Sequence, residues 1–366
     1  MNRRTFLKAV GVTGIAGLAG CTGGPTEDGN GGGTNGTTEG TSGENGSTNV
    51  AMVYATGGLG DGSFNDQARE GLEKAKQELN VTSEHSQPEE VSDFGQIQRQ
   101  YAQSTSPNYD LVSCIGALQQ DALSDNASQF PEQKFLIVDQ MVDAKNVESY
   151  QFREEEGSFQ VGHLAGLLTT TKLSAGKAST NDATTVGFIG GEKIPLIKKF
   201  EAGYKAGVKH AGKDINVITN YVGSFNDVAR GKETALSQYN GGADIIYHAS
   251  GNTGTGVFKA AKEVNRYAIG VDSDQSKTKS SYADYILASM VKHVDIAVHD
   301  SIKHVVDGSF EGGSTTTLGL KQGGVETVYG KTLGSEIPDD VKSKLDASKK
   351  KITSGSITVP TKPSDV

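Results

Sequence analysis

Residues 110–139 read DLVSCIGALQQDALSDNASQFPEQKFLIVD. An apolar run from Asp110 to Gly116 gives way to helical periodicity from Asp121 to Phe130, and a second apolar run follows from Lys134 to Asp139. Neither run alternates polar with apolar residues, as expected of strands covered by helices on both faces. Strand, helix and strand in so short a span form a βαβ unit, which commits its neighbours to a parallel sheet.

Working outward, the same alternation holds on the N-terminal side. Val50–Tyr54 reads as a strand, Asp66–Leu79 as a helix, Val81–His85 as a strand and Asp93–Ser104 as a helix. On the C-terminal side the cycle begins again. Strands are expected at Thr185–Gly190, Ile215–Val222, Ala243–Ala249 and Tyr267–Asp272, and helices at Leu196–Ala211, Ala229–Tyr239 and Gly254–Asn265. The two cycles end alike, Phe135-Leu-Ile-Val-Asp139 matching Ala268-Ile-Gly-Val-Asp272. Between them EEEGSFQVGHLAGLLTTTK, Glu154–Lys172, reads as a long helix whose small residues suit close packing at a lobe boundary. A strand-like stretch near Ile286 and a helix from Ser289 to Val306, with Met290, Val294, Ala297, Val298, Ile302 and Val305 as its apolar stripe, are expected to return the chain to the first lobe. The fold class is therefore α/β: two doubly wound parallel-sheet lobes with a ligand cleft between them. The expected division is 50–152 plus about 275–310 for lobe 1, and 153–274 plus about 311–366 for lobe 2.

The chain of 366 residues begins MNRRTFLKAVGVTGIAGLAGC. Arg3, Arg4 and Lys8 precede an apolar run from Ala9 to Ala19, which is too short for a hydrocarbon core that needs about 20 residues. Residues 1–21 thus read as an export signal of twin-arginine type. Leu18-Ala19-Gly20-Cys21 resembles a lipobox, making Cys21 the expected lipid anchor. Residues 22–49 hold no hydrophobic side chain and ten of the 48 glycines, so they are expected to be a disordered tether. A coil of that composition reaches roughly 30 Å. With Cys21 lipidated, Cys114 has no partner, and its apolar setting suits a buried inert thiol. A net charge of −9 with interspersed bases argues against nucleic acid as a partner. Asn35, Asn45, Asn80 and Asn126 each open a glycosylation acceptor.

GSFND occurs twice, at 62–66 and 223–227, each time after a strand. Ser63, Asn65 and Asp66 suit a helix start. Phenylalanine has no capping role, so Phe64 and Phe225 are expected either to pack inward or to stack on a planar ligand from facing lobes, at about 1 to 3 kcal/mol per face. Asp121, Gly251 with Asn252, Thr253 and Thr255, and Asp272 fall at equivalent strand ends. Lys292 alone, on the polar side of the expected helix, would by default be solvated. SGNTGTG lacks the lysine of a phosphate-binding loop, the acids and histidines lack metal-ligand spacing, and no nucleophile, base and orienter stand together. No metal, cofactor or catalytic set is expected.

GGLGDGSFNDQAREGL, FREEEGSFQVGHLAGLL, VGFIGGEKIPLIKKFEAGYKAG, GKETALSQYNGGADIIYHASGNTGTGVFKAAKE and AIGVDSDQS together resemble the basic membrane protein family of purine nucleoside receptor lipoproteins, from about residue 50 to 330. The resemblance implies a type I periplasmic-binding-protein fold that hands a nucleoside to an ABC permease and ATPase from the outer face of the membrane. It implies Phe64 and Phe225 as the rings around the base. It also implies Asp121, Gly251, Asp272 and Lys292 as ribose and polar contacts; Asn65 and Thr56 are expected as further ligand-binding residues. Where the family commonly carries an acid after the first strand, this chain has Ala55 followed by Thr56. A sugar or another planar metabolite as ligand, a surface sensor, and a nucleoside hydrolase using Asp121 or Asp272 stand as alternatives.

Overall fold

The computed structural model describes residues 46–212 and 214–366. The export signal, Cys21 and most of the expected tether lie outside the described residues. Thr48 and Asn49, assigned to the tether from composition, instead begin the first strand.

Strand β1 (Thr48–Val53) leads to helix α1 (Phe64–Glu78), then β2 (Val81–Ser86), α2 (Phe94–Gln103), β3 (Leu111–Ile115), α3 (Gln120–Gln129), β4 (Phe135–Val138) and β5 (Val147–Phe152). Helix α4 (Glu154–Thr169) and a short hairpin of β6 (Ser174–Ala175) and β7 (Ala178–Ser179) precede the second cycle. That cycle runs β8 (Thr185–Gly190), α5 (Pro195–Ala211), β9 (Asn216–Tyr221), α6 (Val228–Asn240), β10 (Ala243–Ala249), α7 (Gly254–Val264) and β11 (Tyr267–Asp272). Then come α8 (Gln275–Thr278), β12 (Ile286–Lys292), α9 (Val294–Val306), β13 (Thr315–Leu318), β14 (Val325–Tyr329) and α10 (Asp339–Thr353).

Two six-stranded sheets result, in the orders β13-β5-β4-β3-β1-β2 and β14-β12-β11-β10-β8-β9. All pairs in both sheets are parallel except β12 with β14. The orders correspond position for position, so each lobe reverses winding beside its first strand. Such a switch point opens a crevice at the carboxyl ends of the strands. The α/β, two-lobe reading of the sequence therefore holds.

The expected helix at Ser289–Val306 does not start where periodicity put it. Ser289–Lys292 complete β12, buried along its whole length, and the helix begins at Val294. A strand covered on both faces presents an unbroken apolar run that an apolar helix stripe can absorb. The lobe boundaries change with it. β12 lies in the second sheet, whereas α9 packs on α1 and β13 pairs with β5 in the first. Residues 275–292 thus belong to the second sheet's lobe, and 294–318 to the first. The chain crosses at Phe152–Glu154, Lys292–Val294 and Leu318–Val325.

The small residues of α4 do permit close approach, within the second lobe. A Cβ at Gly162 would sit 2.1 Å from the Tyr204 carbonyl oxygen of α5, and one at Gly207 would sit 2.0 Å from that of Phe159. Cys114 is fully buried in β3, and burial pushes its thiol pKa up.

Candidate ligand cleft

The loop after β1 is folded by its own carboxylates. Asp61, 1% exposed, accepts from the backbone N–H groups of Ser63 (2.9 Å), Asn65 (3.0 Å) and Asp66 (3.3 Å). Asp66 accepts from Gly60 (2.9 Å) and Gly62 (2.8 Å), and Asn65 accepts from the Ala55 N–H at 2.9 Å. Asp61 therefore does the capping expected of Ser63. The Ser63 hydroxyl is released to donate to Asp272 of the second lobe at 2.7 Å. The helix starts at Phe64, whose ring lies close to Gly116 at the cavity wall.

The second GSFND folds differently. Asp227 is the N-cap, accepting from Arg230 N–H at 2.9 Å, so Phe225 stays in the loop before the helix. Thr253 ties that loop down: its backbone N–H donates to Phe225 O (3.1 Å), and its hydroxyl donates to Ser224 O (2.9 Å) and accepts from Asp227 N–H (2.8 Å). Phe225 lies over Gly191, where a Cβ would meet the ring at 2.5 Å. Gly251 has φ +55°, and a Cβ there would sit 3.2 Å from Phe225 O. Glycine suits both demands, the left-handed backbone and the close approach.

Three strand ends supply the charge. Asp139 follows β4 and Asp272 ends β11, at φ 70° and 62°, and Lys292 ends β12. Lys292 is 2% exposed; its ammonium donates to Asp139 at 2.6 Å and stands 3.9 Å from Asp272 and 4.0 Å from Glu154. Rings surround it, with the centroid of Phe64 at 4.6 Å and those of Phe152 and Phe200 at 5.5 Å each. Behind it Lys199 donates to Glu154 at 2.6 Å and to Phe152 O at 2.8 Å, and Glu155 lies 3.8 Å away. Burial raises Asp272 to about 6 against the opposing pull of Lys292 and Ser63, and raises Glu155 to about 7. Burial alone would lower the Lys292 pKa, but Asp139, Asp272 and Glu154 together hold it above the usual lysine value. Asp139 Oδ1 and Glu154 Oε1 are buried with no hydrogen-bond partner among the described residues.

Phe64, Phe225, Asp61, Asp139, Asp272 and Lys292 line a cavity between the two sheets' strand ends. Of the residues expected from sequence, Thr56, Phe64, Asn65, Phe225, Gly251, Asp272 and Lys292 line it. Asp121 does not: it is exposed on α3, because the turn at Ala117–Gln119 fills the space between β3 and that helix. The acid that arrives is Asp139, overlooked although FLIVD and AIGVD already matched. Lys292 is a buried strand terminus, not a solvated helix residue. Ile194, Leu196, Ile197 and Phe200 form an apolar wall that the sequence reading also missed. Their signal was an apolar cluster at the start of a helix, in IPLIKKF.

A family profile for ABC transporter substrate-binding proteins, PnrA-like, matches residues 48–362. The chain belongs to this family. The family is one of substrate-binding proteins, not enzymes, and the hydrolase alternative is set aside. The ABC transporter nucleoside-binding protein BmpA of Lactococcus lactis is 36% identical over 332 residues, covering 85% of this chain and 89% of that protein. The CD4+ T-cell-stimulating antigen of Listeria monocytogenes is 36% identical over 331 residues, 86% of this chain and 88% of the relative. An uncharacterized lipoprotein of Pyrococcus abyssi is 36% identical over 285 residues, covering 75% of this chain and 68% of that lipoprotein. Among solved structures, an ABC transporter solute-binding protein of Aeropyrum pernix superposes with a TM-score of 0.76 at 29% identity, covering 86% of this chain and 93% of that one. No helix among the described residues is long and apolar enough to cross a membrane.

Proposed function

We propose that this family member captures a nucleoside, purines first, between Phe64 and Phe225 and delivers it to an ABC permease and ATPase. The observation that carries the reading is the pairing, in one cavity, of two loop phenylalanines with a buried Asp139, Asp272 and Lys292 set. Among the described residues Asp139 Oδ1 has no hydrogen-bond partner, and so it invites a ligand hydroxyl. A planar base on the rings and a ribose on the ionic set satisfy both halves. Asp121 is exposed and lies outside the cavity, and Asp139 is the carboxylate that faces the ribose in its place.

Asn65 spends its amide on Ala55 N–H and Asp61, so the Thr56 hydroxyl is the polar side-chain group that the loop leaves at the base edge. Modest discrimination among bases follows. Lipidation at Cys21 would place the protein on the outer face of the membrane, in keeping with the lipoprotein relatives.

Calorimetry with inosine, guanosine, adenosine, cytidine and ribose, together with mass spectrometry of any ligand that copurifies, tests the reading. Tight binding of nucleosides over ribose is expected. Binding of ribose alone would move the assignment to the sugar alternative, for which the ionic set is equally suited. Binding of none would end the nucleoside reading.

A further inference from the structure

The loop that carries Phe64 is held from the opposite lobe by residues outside the cavity. The Thr278 hydroxyl donates to Gly62 O at 2.8 Å, Gln275 Nε2 to the same oxygen at 3.3 Å, and Lys279 Nζ to Gly60 O at 3.1 Å. Gln275 is itself fixed in the second lobe. Its backbone N–H donates to the Ser289 hydroxyl of β12 at 3.0 Å, and its Oε1 accepts from Val271 N–H at 2.9 Å. The fit is close, because a Cβ on Gly62 would lie 2.7 Å from Lys279 Cε and 3.0 Å from Thr278 Oγ1. Gly60 and Gly62 both have positive φ, at 86° and 61°. Asp61 and Asp66 hold that backbone rigid from within.

We propose that Thr278 and Lys279, presented with Gln275, form a clasp on the Gly60–Gly62 backbone that holds the two lobes closed and so sets affinity without touching the ligand. None of the three lines the cavity. Backbone carbonyls as acceptors make the clasp independent of which ligand is enclosed. The two lobes carry the two sides of every one of these bonds, so hinge opening breaks them together. Thr278 and Lys279 are therefore positioning residues for the Phe64 loop. An interaction made only in the closed form multiplies the affinity of every ligand by the same factor.

The proposal rests on the cleft being the ligand site, and the experiment separates the two. In the full-length protein, Thr278→Val with Lys279→Met is expected to weaken inosine, cytidine and ribose by one common factor of about ten, for two lost hydrogen bonds. The change should fall on the dissociation rate, with association unaltered. Lys279→Arg, which keeps a donor, should restore most of its share. A ligand-free readout uses nitroxide labels at Glu89→Cys and Lys193→Cys, exposed residues in the loops after β2 and β8. Cys21→Ser leaves only the introduced thiols to react, since Cys114 is buried. The double variant is expected to shift the label distances toward a longer, open population. Unchanged affinities together with unchanged distances overturn the clasp, as does a loss confined to one ligand, because a weakened closed form must appear in one readout or the other. Shifted distances in a protein that binds none of the three probes uphold the clasp and reject the nucleoside reading.

Discussion

At the scale of single residues, the two phenylalanines are unequal in their surroundings. Phe64 already has the Lys292 ammonium 4.6 Å from its centroid, whereas Phe225 lies over the backbone of Gly191. A base stacked on one ring is worth about 1 to 3 kcal/mol, so Phe64→Ala and Phe225→Ala should each weaken nucleoside binding by roughly 5- to 150-fold in calorimetry. If only one of them matters, the clamp is wrong. Asp272 supplies a pH test. Burial raises its folded-state pKa to about 6, above the ordinary value of about 3.9. Its contribution to stability is therefore fully present below about pH 4 and is lost as pH rises through about 6. Ligand binding has the opposite sign if a hydroxyl donates to the carboxylate. Affinity should then fall as pH drops through about 6, and Asp272→Asn should bind more weakly with that step removed. Among the glycosylation acceptors, Asn126 is 1% exposed and its amide donates to Gly95 O and Gln98 Oε1 at 3.0 Å each, which closes it to modification in the folded chain.

At the scale of elements, identical letters gave different structures. GSFND begins α1 at its third residue in one lobe, but lies wholly before α6 in the other. The sequence signalled a ring on a polar loop and could not say which residue would cap. In the first copy a carboxylate upstream of the motif, Asp61, takes that task; in the second it is the last letter, Asp227. The position of Phe225 depends on Gly191, a residue far off in sequence and marked there only as one of a pair of glycines. Gly191→Ala puts a methyl carbon where a Cβ would lie 2.5 Å from the ring and must displace it. The expected result is weaker nucleoside binding with only a small fall in melting temperature, because the displaced ring lines the cleft and is only partly buried at the edge of the core. A fall in stability with binding intact would mean that the ring serves packing alone.

At the scale of the whole molecule, the layers were legible and the crossings were not. Strand and helix periods are local, and they recovered both sheets' first four parallel strands. β5, β13 and β14 escaped because VESYQF, TTTL and VETVY carry polar residues at positions that long-range partners satisfy. Glu148 in β5, for example, accepts from Glu311 N–H at 3.0 Å. Of the site, the residues on loops with odd composition were legible. Asp139 and Glu154 were not, because their meaning arises only when the strand ends of two lobes meet.

That meeting leaves a charge imbalance that predicts its own response to mutation. Asp139, Asp272, Glu154 and Glu155 gather around Lys292 and Lys199, so buried acids outnumber buried bases. Removing a base leaves several acids uncompensated. Lys292→Met should cost about 3 to 5 kcal/mol in a urea melt, the scale for breaking a buried pair. Removing an acid relieves repulsion. Glu155, which burial raises to about 7, gives up little as Glu155→Gln, and that variant should be neutral or slightly stabilised at pH 8. Equal losses from the two substitutions would show that the cluster is held by one-to-one pairing. The asymmetry instead makes Lys292 the central charge on which both the crossing between lobes and the carboxylates lining the cleft depend.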